Sequence, residues 1–353
     1  MTADRRPPTA DRRPPTADRR PPNAGGEVMR KARRRLARTS GAALSRSLAT
    51  TVAIGGIGGL LAAGDAGAQQ VGGGTPGFDD PGGTIVLKGR ERGVASAKKE
   101  LIAALAESGQ TVTGLATARG SAHAGTGASK RLDRALAKLE SLTGVDVLAA
   151  AMAAVEQRAA QPVAARVEGW NVVSVVHEPQ AKSYYCGPAT AVMIIRQRGV
   201  TSRSGRNLSQ AELAKPDMLN TDAHQATRWT SNVMASTLNW WTGWLLNPWP
   251  YTASGAPSAA ELKMIAVYDT DIGYSFANET YEVGGSLRFN HHPSNRNIAH
   301  WTVTAGYNSS GDNLWVYDPA KSSAVSWSGP LDANFKISTA QFAGLMGSHG
   351  VVW

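Results

Sequence analysis

The sequence predicts a C-terminal domain, residues 170–353, that mixes helices with an antiparallel sheet. Two observations carry this. An apolar, helix-compatible run, Ala189 to Arg198, follows Gly187-Pro188 and is stopped by Gly199. Pro188 has the fixed φ that suits the first turn of a helix. Further on, His300 to Tyr307 alternates as a strand does, Asn308 to Asn313 is turn-forming, and Leu314 to Tyr317 is a second strand, so the stretch reads as a hairpin. The boundary is a change of texture: all ten tryptophans lie from Trp170 onward. Roughly 180 residues are enough for one well-buried core.

The segments ahead of this domain differ in kind. Three copies of Thr-Ala-Asp-Arg-Arg-Pro-Pro fill residues 2–22. Such a repeat has almost nothing to bury, so residues 1–28 are expected to be disordered, upstream of a more typical start at Met29. Residues 29–68 read as a signal peptide. A basic cluster, Met29 to Leu36, precedes a Gly-interrupted apolar stretch, Leu48 to Ala63, and then Ala66-Gly67-Ala68 as the small-residue cleavage site. The apolar stretch is short for a membrane span. The mature protein is therefore expected to be secreted, with no membrane partner. Residues 69–94 are Gly-, Pro- and Asp-rich and read as a linker. Residues 95–165 hold two helix-like blocks, Ala95–Glu107 and Lys130–Gln161, apolar at three- and four-residue steps. This hairpin is expected to be either a pro-segment that covers the site or a helical spacer.

Charge excludes one class of partner. The chain carries a net +10, but residues 1–47 hold thirteen Lys/Arg against four Asp/Glu. From Gln69 onward, 24 Lys/Arg face 22 Asp/Glu. The basic character belongs to the leader, and no nucleic-acid surface is expected.

Within the domain, Trp170 to Val176 is an apolar β-type run. Residues 200–217 are polar, with helix-start chemistry at Ser209. Five tryptophans, Trp229, Trp240, Trp241, Trp244 and Trp249, are expected to pack inward rather than line a cleft. Ala259 to Val267 should be a helix, Tyr281–Val283 a strand, and Asn290-His291-His292-Pro293 a loop. Ser338 to Met346 reads as a last helix before Val351–Trp353.

The chemistry centres on Cys186, the one cysteine in the chain. It can form no internal disulfide, so in an exported chain it is either buried and inert or reactive. Its place at a helix start favours the thiolate. A nearby imidazole can take the thiol proton, and His300 is the expected base. His300 opens one strand of the hairpin and Asp318 ends the next, which sets their ends side by side. Asp318 would orient the imidazole, and Gln180 would donate to a developing oxyanion together with the Cys186 backbone N–H. His291 and His292 are adjacent, no cysteine is spare and no His-x-x-x-His pair occurs, so no metal is expected. There is no glycine-rich phosphate loop outside the leader, and no cofactor is expected.

Gln180, Tyr185-Cys186-Gly187-Pro188-Ala189, His300-Trp301 with Gly306-Tyr307, and Val316-Tyr317-Asp318-Pro319 together resemble the C39-like cysteine peptidases of the papain-like fold. The resemblance covers about 170–353 and implies an α+β domain, with the nucleophile helix packed on an antiparallel sheet. By it Cys186 is the nucleophile, His300 the base, Asp318 the orienting group and Gln180 the oxyanion donor. Tyr281 to Gly285 and His291-His292-Pro293 look like a stand-alone actinobacterial type. The implied activity is hydrolysis of peptide or isopeptide amides through a thioester, on a peptide, protein or cell-wall peptide. The best-known relatives, in bacteriocin exporters, cut after a double glycine; this chain has no transporter or ATPase motif. Transpeptidation or wall-amidase chemistry at the same site, and a catalytically silent wall-binding module, are the alternatives.

Overall fold

The computed structural model describes residues 89–111, 114–115, 128–144, 146–159, 169–243, 250–308 and 310–353, all within one unit, Val71–Trp353. The expected repeat, the signal peptide, most of the linker, and Trp244 and Trp249 lie outside the described residues.

Among the described residues, helices α1 (Gly89–Ser108), α2 (Ala128–Thr143) and α3 (Val147–Ala159) come first. The helix expected from Ala95 thus starts at Gly89, inside the expected linker, and the block expected over 130–161 is two helices. The break is at Gly144, whose φ of +74° ends α2, while its N–H closes on Glu140 O at 2.7 Å. Asp146 then accepts from Ala149 N at 2.9 Å and starts α3. Helices α1 and α2 pack along Val94, Leu101, Leu132, Leu136 and Leu139. Lys98 anchors α1 to the rest of the unit. It is fully buried, donates to Pro250 O at 3.2 Å and to Trp353 O, and lies 4.2 Å from the Trp353 ring. Burial pushes its pKa down to about 7, against the pull of the Asp269 charge.

The domain proper starts with β1 (Trp170–Val172) and the cysteine helix α4 (Cys186–Gln197). The ribbon β2 (Ser202–Arg203) and β3 (Arg206–Asn207) follows, then short helices α5 (Gln210–Leu213) and α6 (Thr221–His224), and α7 (Val233–Thr242). Next are β4 (Ala253–Gly255), α8 (Ala259–Asp271), β5 (Phe276–Glu282), β6 (Ile298–Asn308), β7 (Asn313–Tyr317), β8 (Asn334–Ser338), α9 (Thr339–Leu345) and β9 (Gly350–Val352). Seven strands form one sheet in the order β4-β9-β5-β6-β7-β8, with β1 paired to β6, and every described pairing in it is antiparallel.

Capping places the helices. Ser258 and Glu261 form a capping box at the start of α8, and Ser338 accepts from Gln341 N at the start of α9. Ser209 caps as expected, although α5 is a single turn. Strand β6 is the long element: α4 and α8 pack against it, and β1, β5 and β7 hydrogen-bond to it. Trp229, Trp241, Trp301 and Trp353 are buried in the core, so two of the five clustered tryptophans pack inward, while Trp240 is half-buried. No helix among the described residues is long and apolar enough to cross a membrane.

Candidate active site

Cys186 is the first residue of α4 and is 6% exposed. As the first helical residue its N–H is among those without an acceptor inside the helix. Tyr185 precedes the helix without a side-chain cap, and its hydroxyl donates to Asp222 Oδ1 at 2.7 Å. Gly187 is required by close approach: a Cβ there would lie 2.1 Å from Thr227 Oγ1. The Thr227 carbonyl in turn accepts from Trp301 Nε1 at 2.8 Å. The residue after Cys186 and the residue after His300 are thereby tied through one threonine.

His300 lies in β6 opposite Thr280 of β5, with no exposure. Its Nε2 stands 2.7 Å from Asp318 Oδ1, just past the end of β7. The hairpin register brings the pair together, with Val303 opposite Tyr317. His300 Nδ1 is buried and has no close hydrogen-bond partner. Burial works against the imidazolium, but Asp318 first and Cys186 second outweigh it and raise the His300 pKa to about 10. Asp318 is also fully buried. Burial opposes its charge, yet His300 and His292 hold its carboxyl well below the usual carboxylate range.

Four donors converge on that carboxylate. Oδ1 accepts from Ala320 N at 2.8 Å besides facing His300, and Oδ2 accepts from Asn290 Nδ2 at 2.6 Å and faces His292 Nε2 at 3.0 Å. An ionised carboxylate offers about four lone-pair positions, so Asp318 is saturated. The sequence places His292 in a loop beside His291, expects no metal there and gives the ring no catalytic role. It is buried, and its Nδ1 meets the buried Glu282 Oε1 at 2.6 Å. Glu282 faces Arg288 Nη1 at 3.8 Å. His292, His300 and Asp318 bring potential ligand atoms within 4.8 Å of one another. Both imidazoles meet the carboxylate directly at hydrogen-bond distance, so protons knit the group as it stands.

Gln180 reaches the same region differently from expectation. Its Nε2 donates to both Lys182 O and Ser183 O at 2.8 Å, which engages both amide protons in shaping the turn before Cys186. Its Oε1 is buried and unpartnered. Its backbone ties that turn to the Asp318 loop: Gln180 N donates to Pro319 O at 2.9 Å and Ser322 Oγ donates to Gln180 O at 2.5 Å. Donation to an oxyanion requires one amide proton to leave its carbonyl.

A thiol at a helix start, an imidazole coupled to it and a carboxylate on the far ring nitrogen can carry out acyl transfer. The sequence comparison points the same way. Residues 172–340 match the Peptidase_C39 like family. The C39-like segment runs from the last residue of β1 into α9, just under half of the chain. It contains Gln180, Cys186, His300 and Asp318, and leaves out α1 to α3. The mixed helices and antiparallel sheet agree with the α+β class of that family. No curated protein matches the chain.

Proposed function

We propose that the C39-like domain is a cysteine peptidase that hydrolyses a peptide or isopeptide amide through a thioester. The observation that carries the reading is the His300–Asp318 contact of 2.7 Å, with Cys186 at the start of the helix that packs on the same strand. In the first step the Cys186 thiolate adds to the scissile carbonyl. The oxyanion takes the Cys186 backbone N–H and, after its amide turns from Lys182 or Ser183, Gln180. His300, charged and held by Asp318, gives its proton to the leaving amine, and the C–N bond breaks. Water then attacks the thioester, His300 takes the water's proton, and the thiolate leaves as the acid forms.

The layout of residues 29–68 supports an exported enzyme that meets its substrate outside the cell, cell-wall peptide included. A thiol-directed active-site probe on the protein tests the assignment. Wild type should label and Cys186→Ala should not; equal labelling of both sinks it. Incubation with casein and with purified peptidoglycan, read as newly released amines, separates protein substrates from wall substrates. Normal wall binding with no turnover on any amide would point to a silent binding module instead.

A further inference from the structure

We propose that His292, held by Glu282, is a positioning residue for the peptidase reaction: a fixed imidazolium that locks the second oxygen of Asp318 and offsets its charge. The inference rests on the proposed function, and it adds two residues that neither the sequence reading nor the family match assigns.

Both nitrogens of His292 face carboxylate oxygens. Nδ1 is 2.6 Å from Glu282 Oε1 and Nε2 is 3.0 Å from Asp318 Oδ2. Ionised carboxylates only accept, so the ring satisfies both contacts only when it carries both protons. Glu282 is buried at the end of β5, where its Oε2 accepts from Phe289 N at 3.3 Å and faces Arg288 at 3.8 Å. Read from the loop inward, the groups are Arg288, Glu282, His292, Asp318, His300 and Cys186, and with the proposed ion pair their charges alternate in sign. Burial resists charge on His292, but Asp318 and Glu282 together raise its pKa.

The ring has little freedom to turn. It lies 4.3 Å from Phe289, 5.0 Å from Trp327 and 5.2 Å from His300, centroid to centroid. Its approach is built by two consecutive residues in the left-handed region, Asn290 at φ +46° and His291 at +61°. Such backbone persists where the surroundings hold it. Here Asn290 does so, with Nδ2 on Asp318 Oδ2 and on Asp332 O, and Oδ1 accepting from Asp332 N at 3.0 Å.

A cation on Asp318's second oxygen weakens the pull of that carboxylate on His300. It therefore keeps the His300 imidazolium acidic enough to release its proton to a leaving amine. His292→Gln tests this, because it keeps an N–H donor and deletes the charge. With one cysteine in the chain, alkylation by iodoacetamide reports Cys186 alone. We expect kcat to fall about tenfold with KM nearly unchanged. The alkaline limb of the alkylation–pH profile should move up by about half a unit or more, and Glu282→Gln should move it down. A folded His292→Gln protein with wild-type kcat and a wild-type alkaline limb overturns the inference. If that variant does not fold, long-range nitrogen–proton NMR on the wild-type protein decides. Two protonated ring nitrogens on His292 at pH 7.5 support the proposal, and a single one overturns it. If wild type neither hydrolyses amides nor shows a reactive thiolate, the peptidase reading itself falls, a different result from a silent His292 variant.

Discussion

Trp301 Nε1 donates to the carbonyl of Thr227 at 2.8 Å, and the Thr227 side chain leaves no room for a Cβ at position 187. One contact therefore sets how far the cysteine helix stands from strand β6. Cys186 and His300 directly precede the two ends of this link, so it bears on how far apart they stand.

Gly187→Ala tests this spacing. The new methyl would sit 2.1 Å from Thr227 Oγ1 and 2.4 Å from its Cβ, so backbone must move. Overpacking of this kind costs about 1–3 kcal/mol, read as a shift in the denaturant midpoint. On the proposed function, a displaced Cys186 should also lower kcat by up to about 100-fold. An Ala variant with wild-type stability and kcat would show that the link does not set the distance.

Asp318→Asn should separate charge from shape. The amide keeps the size of the carboxylate but turns an NH₂ toward groups that are themselves donors. Breaking a buried charged network costs roughly 3 kcal/mol. His300 loses the main group that raises its pKa, so the alkaline limb of Cys186 alkylation should fall from about 10. We expect kcat/KM to drop by about 10²–10⁴-fold, as when the orienting member of a triad is neutralised. A limb that stays in place would mean that Asp318 does not govern the ring.

Stability should respond to pH through opposed groups, the raised His300 and His292 on one side and the lowered Lys98 on the other. His300 is raised from 6.5 to about 10, so its contribution is complete below 6.5 and is lost as pH climbs through 10. Lys98 is lowered from 10.5 to about 7, so its penalty is complete below 7 and fades as pH climbs to 10.5. Over pH 7–10 the two act against each other. Lys98→Met should therefore melt progressively lower relative to wild type as pH rises across that range. Parallel curves for the two proteins would discount the Lys98 contribution. Asp318, held well below its ordinary 3.8, adds stability above that pH that is lost as pH falls further.

The parts of the site that the sequence made legible are those built by local rules. The helix after Gly187-Pro188 and the hairpin that joins His300 to Asp318 depend on neighbours in the chain, and both are present, with α4 beginning at Cys186 itself. His292 depends on closure of the loop between Glu282 and Ile298, which returns the imidazole to the strand end it left. Two adjacent histidines in a polar loop carry no such signal. Strand β8 carries no comparable sequence signal, because Asn334–Ser338 is short and only its Ile337 is buried. Gln180 was read for its side chain alone, and the carbonyls of Lys182 and Ser183 that claim its amide are set by the turn it sits in.

Strand β6 is hydrogen-bonded to β5, β7 and β1, and it carries His300 two residues past its start. Its amides are held by β5 and β1 on one flank and by β7 on the other, so they exchange with solvent only as those neighbours let go. Deuterium uptake at Thr302 and Val303 should therefore proceed only through whole-domain opening, while the Asn290 turn exchanges through smaller excursions. The imidazole of the proposed base is thus mounted on the strand expected to open last.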